Sequence, residues 1–319
     1  MNRRITRVTS SLLGRRAAAL KRHLPQALDG DIRGVHQARV ASRRLREAVP
    51  VLTTGLKGSK SKKALGKIRR LTKSLGTVRE LDVTLLLLDE MAAGERFPRP
   101  ALEEVRGRVM AQREKGRAVM LKRVANVRID KLDRRLAAVS AALAASDGVE
   151  WRDALASRLI KRAKALSTAM SEAGRMYAPE QLHSVRIAAK KLRYGLELAA
   201  DAGAKSAAPA VRIVKRAQET LGRLHDIQVL ERQVAGVQAK TDPRSLPNTG
   251  LGVIAHALEE ECRHLHARYV AAIPQLQQAV DAVRAAVVPE LARPALRPLK
   301  MDMKRRRVAV RPAAAGQQR

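Results

Sequence analysis

The chain carries one helix-length pattern twice. Val35-His36-Gln37-Ala38-Arg39-Val40-Ala41-Ser42-Arg43-Arg44-Leu45-Arg46-Glu47 is answered, position for position, by Leu182-His183-Ser184-Val185-Arg186-Ile187-Ala188-Ala189-Lys190-Lys191-Leu192-Arg193-Tyr194. A second pair follows downstream: the segment from Leu75-Gly76 through Arg79-Glu80 to Val83 matches Leu221-Gly222 through His225-Asp226 to Val229. The two histidines lie 147 residues apart and the two glycines 146. An internal duplication with one small indel explains both offsets. A chain of this kind folds into a unit that can be built twice and packed against its own copy.

On a helix at about 100° per residue, His36, Arg39, Arg43 and Arg46 fall within about 80° of one another. The opposite side carries Ala38, Ala41, Leu45, Val49 and Leu52. In the second copy His183, Arg186, Lys190 and Arg193 form the cationic stripe, and Val185, Ala188, Leu192, Leu196 and Ala199 the apolar one. A solvated face of an amphipathic helix accounts for one such stripe. Two stripes with the same histidine and spacing, and no acid before Glu47, point instead to a site for phosphate-type anions, because ordinary surfaces mix charges of both signs.

The rest of the chain reads as helices around these two. Residues 3–24 form a first amphipathic helix, with Pro25 expected to end it. Asp29 or Asp31 caps the second helix, which runs to about Thr54 and stops at Gly55 and Gly58. A third helix begins at Ser59 or Ser61 and contains Gly76, where a bend or a close helix contact is expected. A long fourth stretch covers 101–145, with a break expected near Asn126. The plan then repeats: 150–174, a helix from Pro179 to about Ala202, 206–240, and a last helix over about 251–286. No strand alternation is present. The expected fold is all-α, two four-helix bundles of long helices related by approximate two-fold symmetry, with the stripes facing each other across a groove or pore. Repeat 1 covers 1–147 and repeat 2 covers 148–286. Residues 287–319, with Pro289, Pro294, Pro298, Pro312 and Lys304-Arg305-Arg306-Arg307, read as a flexible basic tail.

Charge narrows the partner. Lys and Arg outnumber Asp and Glu 64 to 30, a net charge of +34. A compact body repels itself at that charge, so a polyanion is implied: nucleic acid, an anionic membrane surface or inorganic polyphosphate. Aromatic residues make up 2%, which counts against the stacking platforms that hold single-stranded nucleic acid. Cys262 is the one cysteine. That excludes intrachain disulfides and a Cys-based zinc site and fits a reducing cytosol. Arg15 and Arg16 interrupt the apolar core that a signal peptide would need. The longest apolar run, Leu85 to Leu88, is far too short for membrane insertion.

The doubled His-x-x-Arg-[Val/Ile]-x-x-[Arg/Lys]-[Arg/Lys]-Leu-Arg pattern, each copy followed by a Leu-Gly-x-x-x-[Glu/Asp] helix, resembles the CHAD family, the conserved-histidine α-helical domains. The resemblance spans roughly residues 1–286. It implies binding of inorganic polyphosphate in a basic central channel, and association with polyphosphate granules in the cytoplasm. Carried over by position, the ligand-facing residues are His36, Arg39, Arg43, Arg46, His183, Arg186, Lys190 and Arg193. The third helices add Arg70 and Arg216, with Lys63, Lys67 and Arg212 in support. Lys67 aligns with Ile213, and Arg79 with His225. Glu80 and Asp226 cannot attract phosphate and are expected to pair with a stripe cation.

A flexible phosphate polymer has no base edges to read, so its site needs many donors along a track. The Arg fork can bridge two oxygens, and Lys adds a mobile point charge. No cofactor is called for. Backbone binding of RNA or DNA is the alternative, although no helix-turn-helix, zinc-finger or RNP pattern is evident. An enzyme acting on phosphoanhydrides is disfavoured, because metal-assisted transfer needs clustered carboxylates and there is no Walker-type loop. The densest cluster for a metal is Glu259-Glu260-Glu261 with His256, His264 and His266, which reads more simply as a surface charge network. Cys262 has no activating partner in the sequence. The expected role is non-catalytic.

Overall fold

The structure, a computed structural model, describes residues 2–146 and 150–292. These residues are helical throughout, with no strand among them. The first bundle contains α1 (Asn2–Asp29), α2 (Ile32–Leu52), α3 (Lys60–Ala93), α4 (Arg99–Val127) and α5 (Ile129–Ala145). The second contains α6 (Trp151–Ala173), α7 (Pro179–Asp201), α8 (Ala207–Gln238) and α9 (Leu246–Ala282), which continues through a π-helical turn (Val283–Val287) into α10 (Val288–Ala292).

Local chemistry sets most of these boundaries. Asp31 caps α2 by accepting a hydrogen bond from the Gly34 N–H at 2.6 Å, satisfying one orphan donor of the first turn. α1 runs through Pro25 and stops at Gly30, whose φ of 95° a side chain would resist. The expected stop at Pro25 is therefore displaced by one turn, and Leu24 and Ala27 on either side of the proline are both buried in the core. The expected break near Asn126 falls at Arg128, in the left-handed region at φ 54°. It divides the fourth helix of the first repeat into α4 and α5.

Two corrections concern the end of the chain. The last long helix starts at Leu246 rather than near 251. Ser245 caps it, and Pro247 sits in the first turn, where a missing N–H costs nothing. It also does not end at 286. Glu290 on α10 accepts hydrogen bonds from the Lys205 and Ser206 N–H groups and the Ser206 hydroxyl, and Leu291 is buried. Residues 287–292 thus belong to the second bundle, held by the orphan donors at the start of α8. The rest of the expected basic tail lies outside the described residues, as do Asp147 and Gly148 of the expected boundary.

Within the first bundle α1 packs on α2 and α5, α2 on α3, and α3 on α4 and α5; the second repeats the scheme with α6 to α9. Between bundles, α2 meets α7 and α3 meets α8, so corresponding helices pair. That pairing is consistent with approximate two-fold symmetry, although α2 also meets α6 and α4 also meets α8. The apolar faces predicted for both stripes are buried: Ala38, Leu45, Val49 and Leu52 on α2, Val185, Leu192, Leu196 and Ala199 on α7. Burying each such Leu or Val is worth roughly 1.5–3 kcal/mol. That burial fixes the rotation of each helix and turns its cationic face toward the seam between the bundles.

Candidate functional site: a basic cavity between the bundles

Four helices wall a cavity of about 620 Å³ at the seam. α2 contributes His36, Arg39, Arg43 and Arg44; α7 contributes Arg186, Lys190 and Arg193. α3 supplies Gly76, Arg79 and Glu80, and α8 the matching Gly222, His225 and Asp226. Both sequence motifs of both repeats therefore converge on one space.

The cations there crowd one another. Arg39, Arg43, Arg186 and Lys190 repel across the bundle boundary. Burial, then repulsion by Arg186 and Arg43, lowers the Lys190 ammonium to about 6. Burial, then Arg43, lowers Arg39 to about 10. His36 and His183 are lowered as well, each by burial first and then by neighbouring arginines. His225 falls to about 3, from burial and then Arg186 and His183. The His183 and His225 rings lie 5.0 Å apart.

Among the described residues no carboxylate makes an ion pair with Arg43, Arg186 or Lys190, and the Nε atoms of Arg43 and Arg186 are buried without a hydrogen-bond partner. Such groups carry an uncompensated desolvation cost. Glu80 and Asp226 do not pair directly as expected. They act at longer range, Glu80 on Arg39 and Arg186, Asp226 on Arg186, Lys190 and Arg79. Burial raises the Asp226 carboxyl above its usual range.

The remaining predicted residues divide. Arg46 lines an adjoining chamber of about 900 Å³ rather than the central cavity. His183 turns toward a smaller groove between α6 and α7. Lys67 is a correction: it is buried, and its ammonium donates to the Val127 carbonyl at the α4–α5 break. It satisfies an orphan helix carbonyl and does not face ligand. Lys63, Arg70 and Arg216 are exposed away from the central cavity, with Arg70 beside Lys67 on the outer side of the first bundle. Arg212 lines a separate cleft near Arg15 and Asp201.

α3 lines the seam with a different face from the one that Lys63, Lys67 and Arg70 share. Three, four and seven residues before Gly76 stand Lys73, Thr72 and Arg69, which border the adjoining chamber. Gly76 itself marks a close approach: a Cβ there would meet Arg39 Nη1 at 3.0 Å, and the same guanidinium donates to the Thr72 carbonyl at 3.0 Å.

A family model described as CHAD domain matches residues 11–235. The chain belongs to the CHAD family. Two curated relatives are the uncharacterized proteins MT2285 and Rv2226 of Mycobacterium tuberculosis (strains CDC 1551 / Oshkosh and ATCC 25618 / H37Rv). Each is 28% identical over 271 residues, covering 78% of this chain and 49% of the relative. The chain thus spans about half the length of the curated relatives it matches. The fold is similar to the crystal structure of the CHAD domain from the plant Ricinus communis, with TM-score 0.55, 21% identity and 92% of each chain covered. It is also similar to PptA from Streptomyces chartreusis, with TM-score 0.59, 16% identity, and 84% of this chain and 99% of that one covered.

Among the described residues no three His, Cys, Asp or Glu side chains are grouped to hold a metal ion. Cys262 is buried, and its thiol is pushed up to about 12, mainly by burial, so it is protonated at neutral pH. No described helix is long and apolar enough to cross a membrane.

Proposed function

We propose that this CHAD domain binds inorganic polyphosphate in the cavity between its bundles, without chemically altering it, and that this binding carries the protein to polyphosphate granules in the cytoplasm. The observation that supports the reading is the half-buried cluster of Arg43, Arg186 and Lys190, drawn from both repeats and without a carboxylate ion pair among the described residues. An anion entering there supplies the missing counter-charge and hydrogen-bond acceptors to both bundles at once. A linear phosphate polymer suits a cavity lined by many donors and by no aromatic platform for bases. Besides the imidazoles of His36 and His225, Tyr194 is the one aromatic ring among its described lining residues, and the Arg193 guanidinium stacks over it at 5.0 Å.

The test is direct competition. Long-chain polyphosphate is expected to displace a labelled polyphosphate from the protein, and tRNA or duplex DNA of equal phosphate content is not. Displacement by nucleic acid at matching concentration would overturn the reading in favour of general backbone binding. Affinity is also expected to fall steeply with salt, through counterion release at several phosphates. A fluorescent fusion should mark polyphosphate granules in cells, and an Arg43→Gln/Lys190→Gln variant should not.

A further inference from the structure

Arg39 and Arg43 line two spaces: the central cavity on one side, and on the other the chamber of about 900 Å³ bordered by α2, α3 and α6. That chamber is the more basic of the two. Among its described lining residues are Arg69 and Lys73 on α3 and Arg158, Lys161 and Arg162 on α6, against a single carboxylate, Glu47. None of these five cations belongs to either stripe. Glu47 is buried and already engaged by Arg162 and, at 3.5 Å, by Arg158. Arg158 Nε is buried without a partner, and repulsion from Arg162 and Arg69 adds to burial in lowering its guanidinium.

The symmetry-related end of the cavity is different. Arg69 corresponds to Lys215, and Lys73 to Glu219. These two pair with each other at 3.5 Å. Pro50 on α2 and Thr54, two residues beyond its end, correspond to Glu197 and Asp201 on α7. Glu197 takes Arg44 at 2.9 Å, and Asp201 takes Arg16 at 2.6 Å. Arg223 is clamped by both oxygens of Glu90. At this end Arg16, Arg44 and Lys215 each have a carboxylate partner and only Arg15 and Arg212 of the cleft's guanidinium groups have none; in the chamber Arg158 and Arg162 share Glu47, and Arg69, Lys73 and Lys161 make no ion pair among the described residues.

We infer that the anion track is one-sided: a phosphate polymer seated in the central cavity continues past Arg39 and Arg43 into the α3–α6 chamber, and ends at the α7–α8 side. The inference rests on the polyphosphate reading and adds a direction and a chain-length dependence to it. A short oligomer satisfies the central cations alone. A long chain gains the chamber as well, because its trailing phosphates meet unpaired guanidinium and ammonium groups. Leaving by the opposite end would require breaking the carboxylate pairs there.

The experiment measures dissociation constants of tripolyphosphate and long-chain polyphosphate for the full chain. It compares the parent with Lys73→Gln/Lys161→Gln, both exposed positions, and with Arg15→Gln/Lys215→Gln at the other end. The chamber variant is expected to bind the long polymer about tenfold more weakly, as two contacts at the upper end of exposed ion-pair strength imply. Tripolyphosphate affinity should stay within about twofold, and the long-polymer salt slope should fall by about 1.4, or about 0.7 per lost phosphate contact. The Arg15→Gln/Lys215→Gln variant should leave both lengths unchanged. Equal loss for both lengths, no loss for either, or a matching loss at the opposite end would overturn the one-sided track while leaving polyphosphate binding intact. Binding of neither length by the parent protein would overturn both.

Discussion

Arg39 and Arg186 occupy matching positions in matching helices, and they are held differently. Arg39 lies across Gly76, with its guanidinium anchored on the Thr72 carbonyl. Arg186 faces Gly222, where a Cβ would meet nothing within 4 Å, and its Nε has no partner. At the next turn Arg43 is matched by Lys190, and one repeat offers a permanent charge where the other offers a proton-dependent one. Duplication supplied two equal stripes. Divergence has anchored Arg39 in one and left its counterpart Arg186 without a partner at Nε in the other.

The largest expected effect comes from removing what the two stripes still share. Reversing charge in both, with Arg43→Glu/Lys190→Glu, is expected to weaken long-polyphosphate binding by about a thousandfold, since two contacts are lost and two repulsions added. Isothermal titration would show it. A variant that still binds within tenfold of the parent would mean that the stripes are not the site.

Two lysines, one half-buried and one buried, sharpen the comparison. Lys190→Met is expected to stabilise the ligand-free protein by about 1 kcal/mol, because a cation without an ion pair leaves a half-buried position, while binding weakens. Lys67→Met should do the opposite. It orphans the Val127 carbonyl, costs about 1–3 kcal/mol of stability and leaves binding intact. Urea unfolding with and without polyphosphate separates the two.

Proton linkage follows from Lys190 and carries a definite sign. Its pKa in the folded, free protein is about 6, below its value in the unfolded chain, about 10.4. Between these values the unfolded chain binds more protons, so stability of the free protein rises with pH across that window. A bound polyanion raises the pKa back, so binding takes up a proton and tightens as pH falls through the same range. The lowered histidines His36 and His183 add to this near the acid end. Lys190→Gln should flatten the dependence of affinity between pH 9 and about 7. Replacing both histidines with Gln should remove only what remains below about 6.5. A parent affinity that is flat with pH would contradict the whole scheme.

The smallest expected effect tests the glycine pair. Gly76→Ala and Gly222→Ala should each raise helix stability by up to about 1 kcal/mol. Gly76→Ala alone should weaken polyphosphate binding, by about threefold, because the new methyl displaces the Arg39 guanidinium from its anchor on Thr72. Equal behaviour of the two variants would show that the stripes are held alike after all.

Much of this was legible in the residues. The 3.6-residue period placed His36, Arg39 and Arg43 on one face and Leu45 and Val49 on the other, and burial agrees. The paired glycines marked the helices that complete the cavity walls. The third helix was harder. It carries cations at Lys60, Lys62, Lys63, Lys67, Arg69, Arg70 and Lys73, so charge alone does not say which face is turned inward. The apolar phase excludes one of them: Ile68, Leu71, Leu75 and Val78 are buried, and Lys67 falls among them. Taking phase from Gly76, which lines the cavity, rather than from lysine spacing, selects Arg69 and Lys73 over Lys63 and Arg70.

The sequence by itself determined the helical architecture, the duplication and the two cationic faces, because helix periodicity links neighbours only a few residues apart. The tertiary structure decided what no periodicity encodes. It placed the two stripes in mutual repulsion, brought Arg158, Lys161 and Arg162 of α6 beside α3, and gave one end of the cavity Glu197, Asp201 and Glu219 while leaving Glu47 as the one carboxylate among the described lining residues of the other. The physical reason is range: a Coulomb interaction in a poorly hydrated seam depends on which helices meet there, and that is settled only when both bundles bury their apolar faces together.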